Sequence, residues 1–190
     1  MQSLDSLRID ALVCRNCGLC ETRTNVVFGS GNPFADLMFV GEAPGEQEDL
    51  SGEPFVGRSG KLLTSLIEGI GLTRDEVYIS NVVKCRPPAN RDPEAGEVAA
   101  CAPILASQIE NISPRVLVTL GNFATRLLLE TKVGITKLRG SPVAYRGGVL
   151  IPVLHPAAVA RRGSAALIEA RSDFEAIKLA LGRDVSGDMQ

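Results

Sequence analysis

Leu37–Val40 is an uncharged run of bulky apolar side chains that breaks off into a turn holding Gly41, Pro44 and Gly45. A run that short, bounded by chain-breakers, reads as a strand buried on both faces. Glycine in the turn lets the backbone come close to a ligand. The pattern recurs along the chain. Val77–Val83 (VYISNVV) runs into the proline-rich KCRPPANRDP, and Arg115–Leu120 (RVLVTL) runs into Gly121. A hairpin over Val143–Val153, turning at Gly147-Gly148, ends at Leu154-His155-Pro156. Helical periods fill the gaps: Leu62, Leu63, Leu66, Ile67 and Ile70; Glu94–Asn111 with Val98, Cys101, Leu105 and Ile109 inward; Gly121–Leu129; and Leu167, Ala170, Phe174, Ile177 and Leu181. Strands alternating with such helices predict βαβ units around a mostly parallel sheet. Ligands bind such sheets beyond the carboxyl ends of the strands. Glu42, Asn81 and His155 each fall at one of those ends.

The chain has 190 residues, 45% of them hydrophobic, enough for one sizeable core. One domain over 1–190 is expected, with an N-terminal helix and cysteine segment in 1–20 and a frayed tail at 183–190. No apolar run approaches the length of a membrane span and no basic-then-apolar leader opens the sequence, so a cytoplasmic monomer is expected. A formal net charge of -2 argues against bulk electrostatic binding of nucleic acid. Any such contact must use a local patch, for which Lys84, Arg86, Arg91, Arg161 and Arg162 are the candidates.

Five cysteines, three of them in CRNCGLC, suit a metal or cluster site better than a disulfide framework. Cys14 and Cys17 have chelating spacing, Cys85 follows a strand end, and Cys101 lies on the inward face of a helix. Four thiolates suit either zinc or an iron–sulfur cluster. Cys20 creates a fifth-ligand ambiguity and is placed outside the set.

Asn81 is the sharpest anomaly among the polar residues. A carboxamide in a buried strand costs about 1–3 kcal/mol if unpaired. Its partner is either neighbouring backbone or a ligand with adjacent donor and acceptor, such as a nucleobase edge. His155 is the only histidine. Phe55 is either core or a stacking platform, and the acidic run Glu46–Asp49 reads by itself as solvated surface.

Taken in order, GEAPGEQED (Gly41–Asp49), GEPFVGRSG (Gly52–Gly60), YISNVVKCRPPANRDP (Tyr78–Pro93), LVTLG (Leu117–Gly121) and HPA (His155–Ala157) resemble the family 4 uracil-DNA glycosylases, the iron–sulfur type of bacteria and archaea. The resemblance runs from Cys14 to about Arg161. It implies a three-layer α/β/α sandwich with a central four-stranded, mostly parallel sheet, and one 4Fe-4S cluster on Cys14, Cys17, Cys85 and Cys101. It also implies hydrolysis of the N-glycosidic bond of deoxyuridine in single- or double-stranded DNA, with the nucleotide flipped into a pocket. Asn81 would read uracil, Phe55 would stack on it, and Ala43 would lie beside it. His155 would stabilise the departing base. Glu42, or secondarily Glu48, would stabilise the cationic sugar and orient water, Glu48 being alternatively a block to a thymine methyl. Val159, in a loop after His155, would be the wedge that fills the vacated stack. A relative that captures uracil-DNA covalently, a redox or zinc protein on the same fold, and a nucleotide-binding protein are the other readings. The covalent type carries a second histidine, and a GxGxxG turn is missing after the first strand.

Overall fold

The computed structural model describes residues 2–182; the expected frayed tail at 183–190 lies outside the described residues. Strands form at β1 (Ser30–Gly31), β2 (Leu37–Gly41), β3 (Tyr78–Asn81), β4 (Val116–Leu120), β5 (Val143–Tyr145) and β6 (Gly148–Val153). They make one sheet in the order β1-β3-β2-β4-β6-β5. The four central strands are mutually parallel, as expected. The expected sheet of four is extended at each edge by a short antiparallel strand, giving six. Val82 and Val83, expected in β3, leave the strand but still donate to the Gly41 and Glu42 carbonyls at 2.9 and 3.1 Å.

Both faces of the central strands are covered, which explains their unbroken apolar character. Leu37 and Phe39 of β2 point to one face, against α3 (Arg58–Gly69) and α8 (Ser164–Ala180), where Leu63, Ile67, Phe174 and Ile177 are buried. Met38 and Val40 point to the other, against Leu105, Ile109 and Ile112 of α4 (Ala95–Ile112) and Ala124 of α5 (Asn122–Leu128). The N-terminal helix α1 (Leu4–Leu12) adds a satellite cluster of Leu7 and Ala11 with Phe28. The result is the expected α/β/α sandwich.

Two segments expected as loops are helical. Glu46–Ser51 forms a short helix, α2, and Pro156–Arg162 forms another, α7. Pro156 takes the first helical position, where its missing N–H costs nothing. Among the described residues no helix is long and apolar enough to cross a membrane.

Candidate active site and thiol cavity

The carboxyl ends of the four central strands open into a single cavity of about 1470 Å³ lined by Glu42, Ala43, Phe55, Asn81, Asp92 and His155 among others. The three strand-end residues picked out from sequence therefore share one space.

Asn81 ends β3 and is 1% exposed. Its Oδ1 is the one buried side-chain oxygen or nitrogen among the described residues without a hydrogen-bond partner. A buried acceptor left open costs about 1–3 kcal/mol, so its natural partner is a ligand donor. Gly41 faces it from β2. A Cβ there would collide with Asn81 Oδ1 and come within 2.6 Å of Phe55 Cζ, so only glycine leaves amide and ring their places.

Phe55 holds a left-handed backbone (φ 54°), a conformation uncommon for a bulky residue. Its loop is fixed from several sides. Glu48 Oε1 accepts from the main-chain N–H groups of Val56 and Gly57, both at 2.9 Å. Arg74 donates to the Pro54 carbonyl, and a side chain at Gly60 would overlap the Phe55 carbonyl. The Phe55 ring lies 5.9 Å, centroid to centroid, from the His155 ring at a tilt of 36°.

His155 caps α7, its Nδ1 accepting from the Ala157 N–H at 3.1 Å. With Nδ1 committed as an acceptor, the ring proton of the neutral form sits on Nε2. Burial, and secondarily the Arg161 charge, pulls the imidazole down to about 4, so it is neutral at physiological pH. Gly121 (φ 94°) is again a close approach, since a Cβ would lie 2.9 Å from His155 Cβ.

Glu42 follows β2 directly. Its carboxyl is raised above the ordinary range, first by burial and then by the neighbouring carboxyl of Asp92. No pattern in the sequence marks Asp92, whose place beside Glu42 depends on the path of the proline-rich segment. The acidic run is not solvated as a whole. Glu46 is exposed, whereas Asp49 is 3% exposed and accepts from the N–H groups of Thr24 and Asn25.

Of the expected DNA contacts, Val159 and Lys84 are buried and are corrected; the arginines differ in how they are held. Val159 is 2% exposed within the core and is not a wedge. In a helix begun at Pro156 it lies one turn beyond His155, whose carbonyl accepts its N–H at 3.1 Å, and it faces inward. Lys84 is 1% exposed and reaches no surface. Arg91 lines the cavity but is held by Glu97 at 2.6 and 2.9 Å. Arg86 donates to Asn90 at 2.8 Å and pairs with Glu46 at 3.8 Å, and Arg162 pairs with Glu169 at 3.9 Å. Arg161 is exposed on the cavity wall. Among the described residues no ion pair holds it.

Along α4, which also lines the first cavity, Cys14, Cys17, Cys20, Cys85 and Cys101 surround a second, small cavity with Arg23 and Lys84. Among the described residues no three Cys, His, Asp or Glu side chains are placed to share a single metal ion. The donor chemistry fits a multi-centre, thiolate-ligated group. Burial pushes the Cys85 thiol up to about 11 and raises Cys101 as well. Thiolates are therefore stable here only beside compensating positive charge. Arg23 gives part of it, donating to Cys85 Sγ at 3.2 Å and to the Cys14 carbonyl at 2.7 Å.

Comparison with known proteins agrees with this geometry. The family model described as the uracil DNA glycosylase superfamily matches residues 28–178. A type-4 uracil-DNA glycosylase of Sulfurisphaera tokodaii is 49% identical over 168 residues, covering 83% of this chain and 76% of that protein. One from Archaeoglobus fulgidus is 46% identical over 185 residues, covering 93% and 92%. One from Thermotoga maritima is 51% identical over 153 residues, covering 80% of each.

Proposed function

The chain belongs to the uracil-DNA glycosylase superfamily and, within it, to the type-4 enzymes, and from that premise we propose how its residues excise uracil from DNA. The substrate is a deoxyuridine extruded from single- or double-stranded DNA, because its glycosidic bond is out of reach within a stack. Asn81 reads the base: Oδ1 accepts from N3–H and the amide NH₂ donates to O4. Cytosine carries the opposite pattern at both positions and leaves the carboxamide unpaired. Phe55 stacks on the base, a contact worth about 1–3 kcal/mol in nucleic-acid sites, and Ala43 lines the same wall. The observation that carries this reading is the open acceptor of Asn81 in the cavity it shares with His155.

As the N-glycosidic bond breaks, its electron pair moves to uracil, largely onto O2, and positive charge develops on the sugar. Neutral His155 donates from Nε2–H to O2; loss of such a donor costs about 10²–10³-fold elsewhere. Glu42, as the carboxylate, stabilises the sugar cation and orients the water that attacks it. Burial, and secondarily the carboxyl of Asp92, keeps its affinity for a proton above the ordinary range, which suits a base. Glu48, by contrast, spends its inner oxygen on the Phe55 loop and acts as a brace. Of the expected DNA contacts, Arg161 is best supported by its exposure beside the cavity.

Cys14, Cys17, Cys85 and Cys101 would hold one 4Fe-4S cluster, with Cys20 beside the set. When bound, the cluster supplies cross-linking between the N-terminal segment, the segment after β3 and α4, and no redox step. Metal binding of this kind is coupled to folding.

The test is incubation with an oligonucleotide carrying one uracil, followed by alkali. Strand cleavage at that position is expected, with loss of uracil/cytosine discrimination in Asn81→Asp. Unaltered handling of both bases by that variant would remove the reading role.

A further inference from the structure

Lys84 stands between the pocket and the thiol cavity, and none of the steps above uses it. Lys84 as a whole is 1% exposed. An ammonium has three donors and no acceptor. Nζ lies 2.6 Å from each of three oxygens: the main-chain carbonyl of Asn81, Ser80 Oγ and Gln108 Oε1. Ser80 and Gln108 are in turn anchored to the Phe28 carbonyl at 3.2 and 2.8 Å. In the other direction Lys84 lines the thiol cavity together with Cys85, its neighbour in the chain, and Cys101. None of the three acceptors is an anion. A buried cation balanced only by neutral dipoles is poor economy for stability, since an apolar residue of that shape is usually no worse. The anions placed to answer it are the thiolates of a loaded cluster, whose core and four cysteines are together net negative.

We propose that Lys84 is a positioning residue that couples the group held by the cysteines to the uracil-reading carboxamide of Asn81. One residue lines the thiol cavity, next in the chain to Cys85, and hydrogen-bonds the carbonyl of Asn81 through its side chain. A change in charge or position at the thiols is passed to the peptide from which the carboxamide projects. Coupling of binding free energies is reciprocal, so uracil in the pocket also stabilises the cluster. This rests on the assignments of the pocket and the cysteines made above.

The experiment uses the cluster-loaded protein and two oligonucleotides, one with a 2′-fluorinated deoxyuridine that resists hydrolysis, the other with thymidine in its place. Binding is followed by anisotropy, and bleaching of the cluster's visible absorbance by a chelator and a mild oxidant is timed. The uracil strand should slow bleaching by about fivefold relative to the thymine strand, the lower end of typical coupling between sites. In Lys84→Met both strands should give one rate. Simple shielding by bound DNA protects equally with either strand and survives the substitution, so uracil-specific protection retained in Lys84→Met overturns the proposal. Tight, uracil-selective binding without protection in the unaltered protein also overturns it. If Lys84→Met fails to fold, Ser80→Ala removes one of the three acceptors and should lose part of the protection; full protection there counts against the coupling. Failure of the pocket assignment gives a different result, with no preference for the uracil strand and no excision.

Discussion

Replacing Glu48 in two ways separates a brace from a catalyst. Both loop hydrogen bonds end on the same oxygen, Oε1, at 2.9 Å. Glu48→Gln keeps a carbonyl oxygen that can occupy that place and loses only charge assistance, whereas Glu48→Ala leaves two main-chain N–H groups without their acceptor. Hydrogen bonds to a charged group contribute about 1.5–3 kcal/mol each. Because the two share an oxygen and water can partly replace it, Glu48→Ala should lose about 2–4 kcal/mol of stability. Neutral bonds are roughly half as strong as charge-assisted ones, so Glu48→Gln should lose about 1–2 kcal/mol. Once its loop relaxes, Phe55 no longer has its left-handed backbone imposed. The stacking term of about 1–3 kcal/mol is then forfeited, a fall in kcat/KM of roughly 5–150-fold for Glu48→Ala. Glu48→Gln should stay within about tenfold of the unaltered enzyme. Urea unfolding, with single-turnover uracil release at saturating and subsaturating protein, measures both quantities. A Glu48→Gln protein of unchanged stability that is as inactive as Glu48→Ala would mean the negative charge itself takes part in the chemistry, and the brace argument would fail.

Removing the Asp92 charge by Asp92→Asn should move the acid limb of activity to lower pH, because Glu42 works ionised and Asp92 helps keep its carboxyl raised. Burial keeps the limb above the ordinary carboxylate range, and a limb that does not move, read from single-turnover rates against pH, would separate the pair. His155→Ala should lose about 10²–10³-fold in single-turnover rate with little change in DNA affinity. The folded imidazole titrates near 4 against 6.5 when free. Its contribution to stability is thus complete above 6.5 and lost as the pH falls from there to 4, in total on the order of 3 kcal/mol. Urea titrations of His155→Gln and the unaltered protein at both ends of that window should differ by this amount. Gly41→Ala should abolish uracil binding while the fold persists, since its methyl must displace Asn81 or Phe55; calorimetry with free uracil reads the loss. Cys85→Ala or Cys101→Ala should lower the melting temperature together with the iron content, and unchanged melting with iron lost would refute a structural role for the cluster.

The central sheet was legible because apolar run length and chain-breakers are local signals, and Leu37–Val40 needs no distant residue to be read as a strand. The edge strands were not, because Ser30–Gly31 carries no β pattern and pairs only where β3 passes it. Glu42, Asn81 and His155 could be grouped because parallel topology alone brings strand ends together. The inward seat of Val159 has a readable local signal: Pro156 at the first position of a helix, with His155 capping it. Lys84 and Asp92 carried no such signal. Whether a lysine in a basic, proline-rich segment meets phosphate or three buried oxygens depends on how that segment crosses the sheet.

The residues that make the site precise are mostly not those that meet the substrate. Asn81, Phe55 and His155 have ordinary side chains, and what is unusual is how closely backbone approaches them. Gly41 leaves room for the amide and the ring, Gly60 for the Phe55 carbonyl, and Gly121 for the imidazole. Each is a position where a single methyl would push a reacting group out of line. Glu48 adds the complementary constraint, holding by charge-assisted bonds a loop whose backbone is otherwise unfavourable. Electrostatic stabilisation of a departing anion works only if the donor is already aimed when charge appears. Steric close approach on one side and a buried carboxylate on the other give that aim before any base is bound. The open acceptor on Asn81 is what the same rigidity costs while the pocket is empty, and in the reading proposed above uracil is the partner that satisfies it.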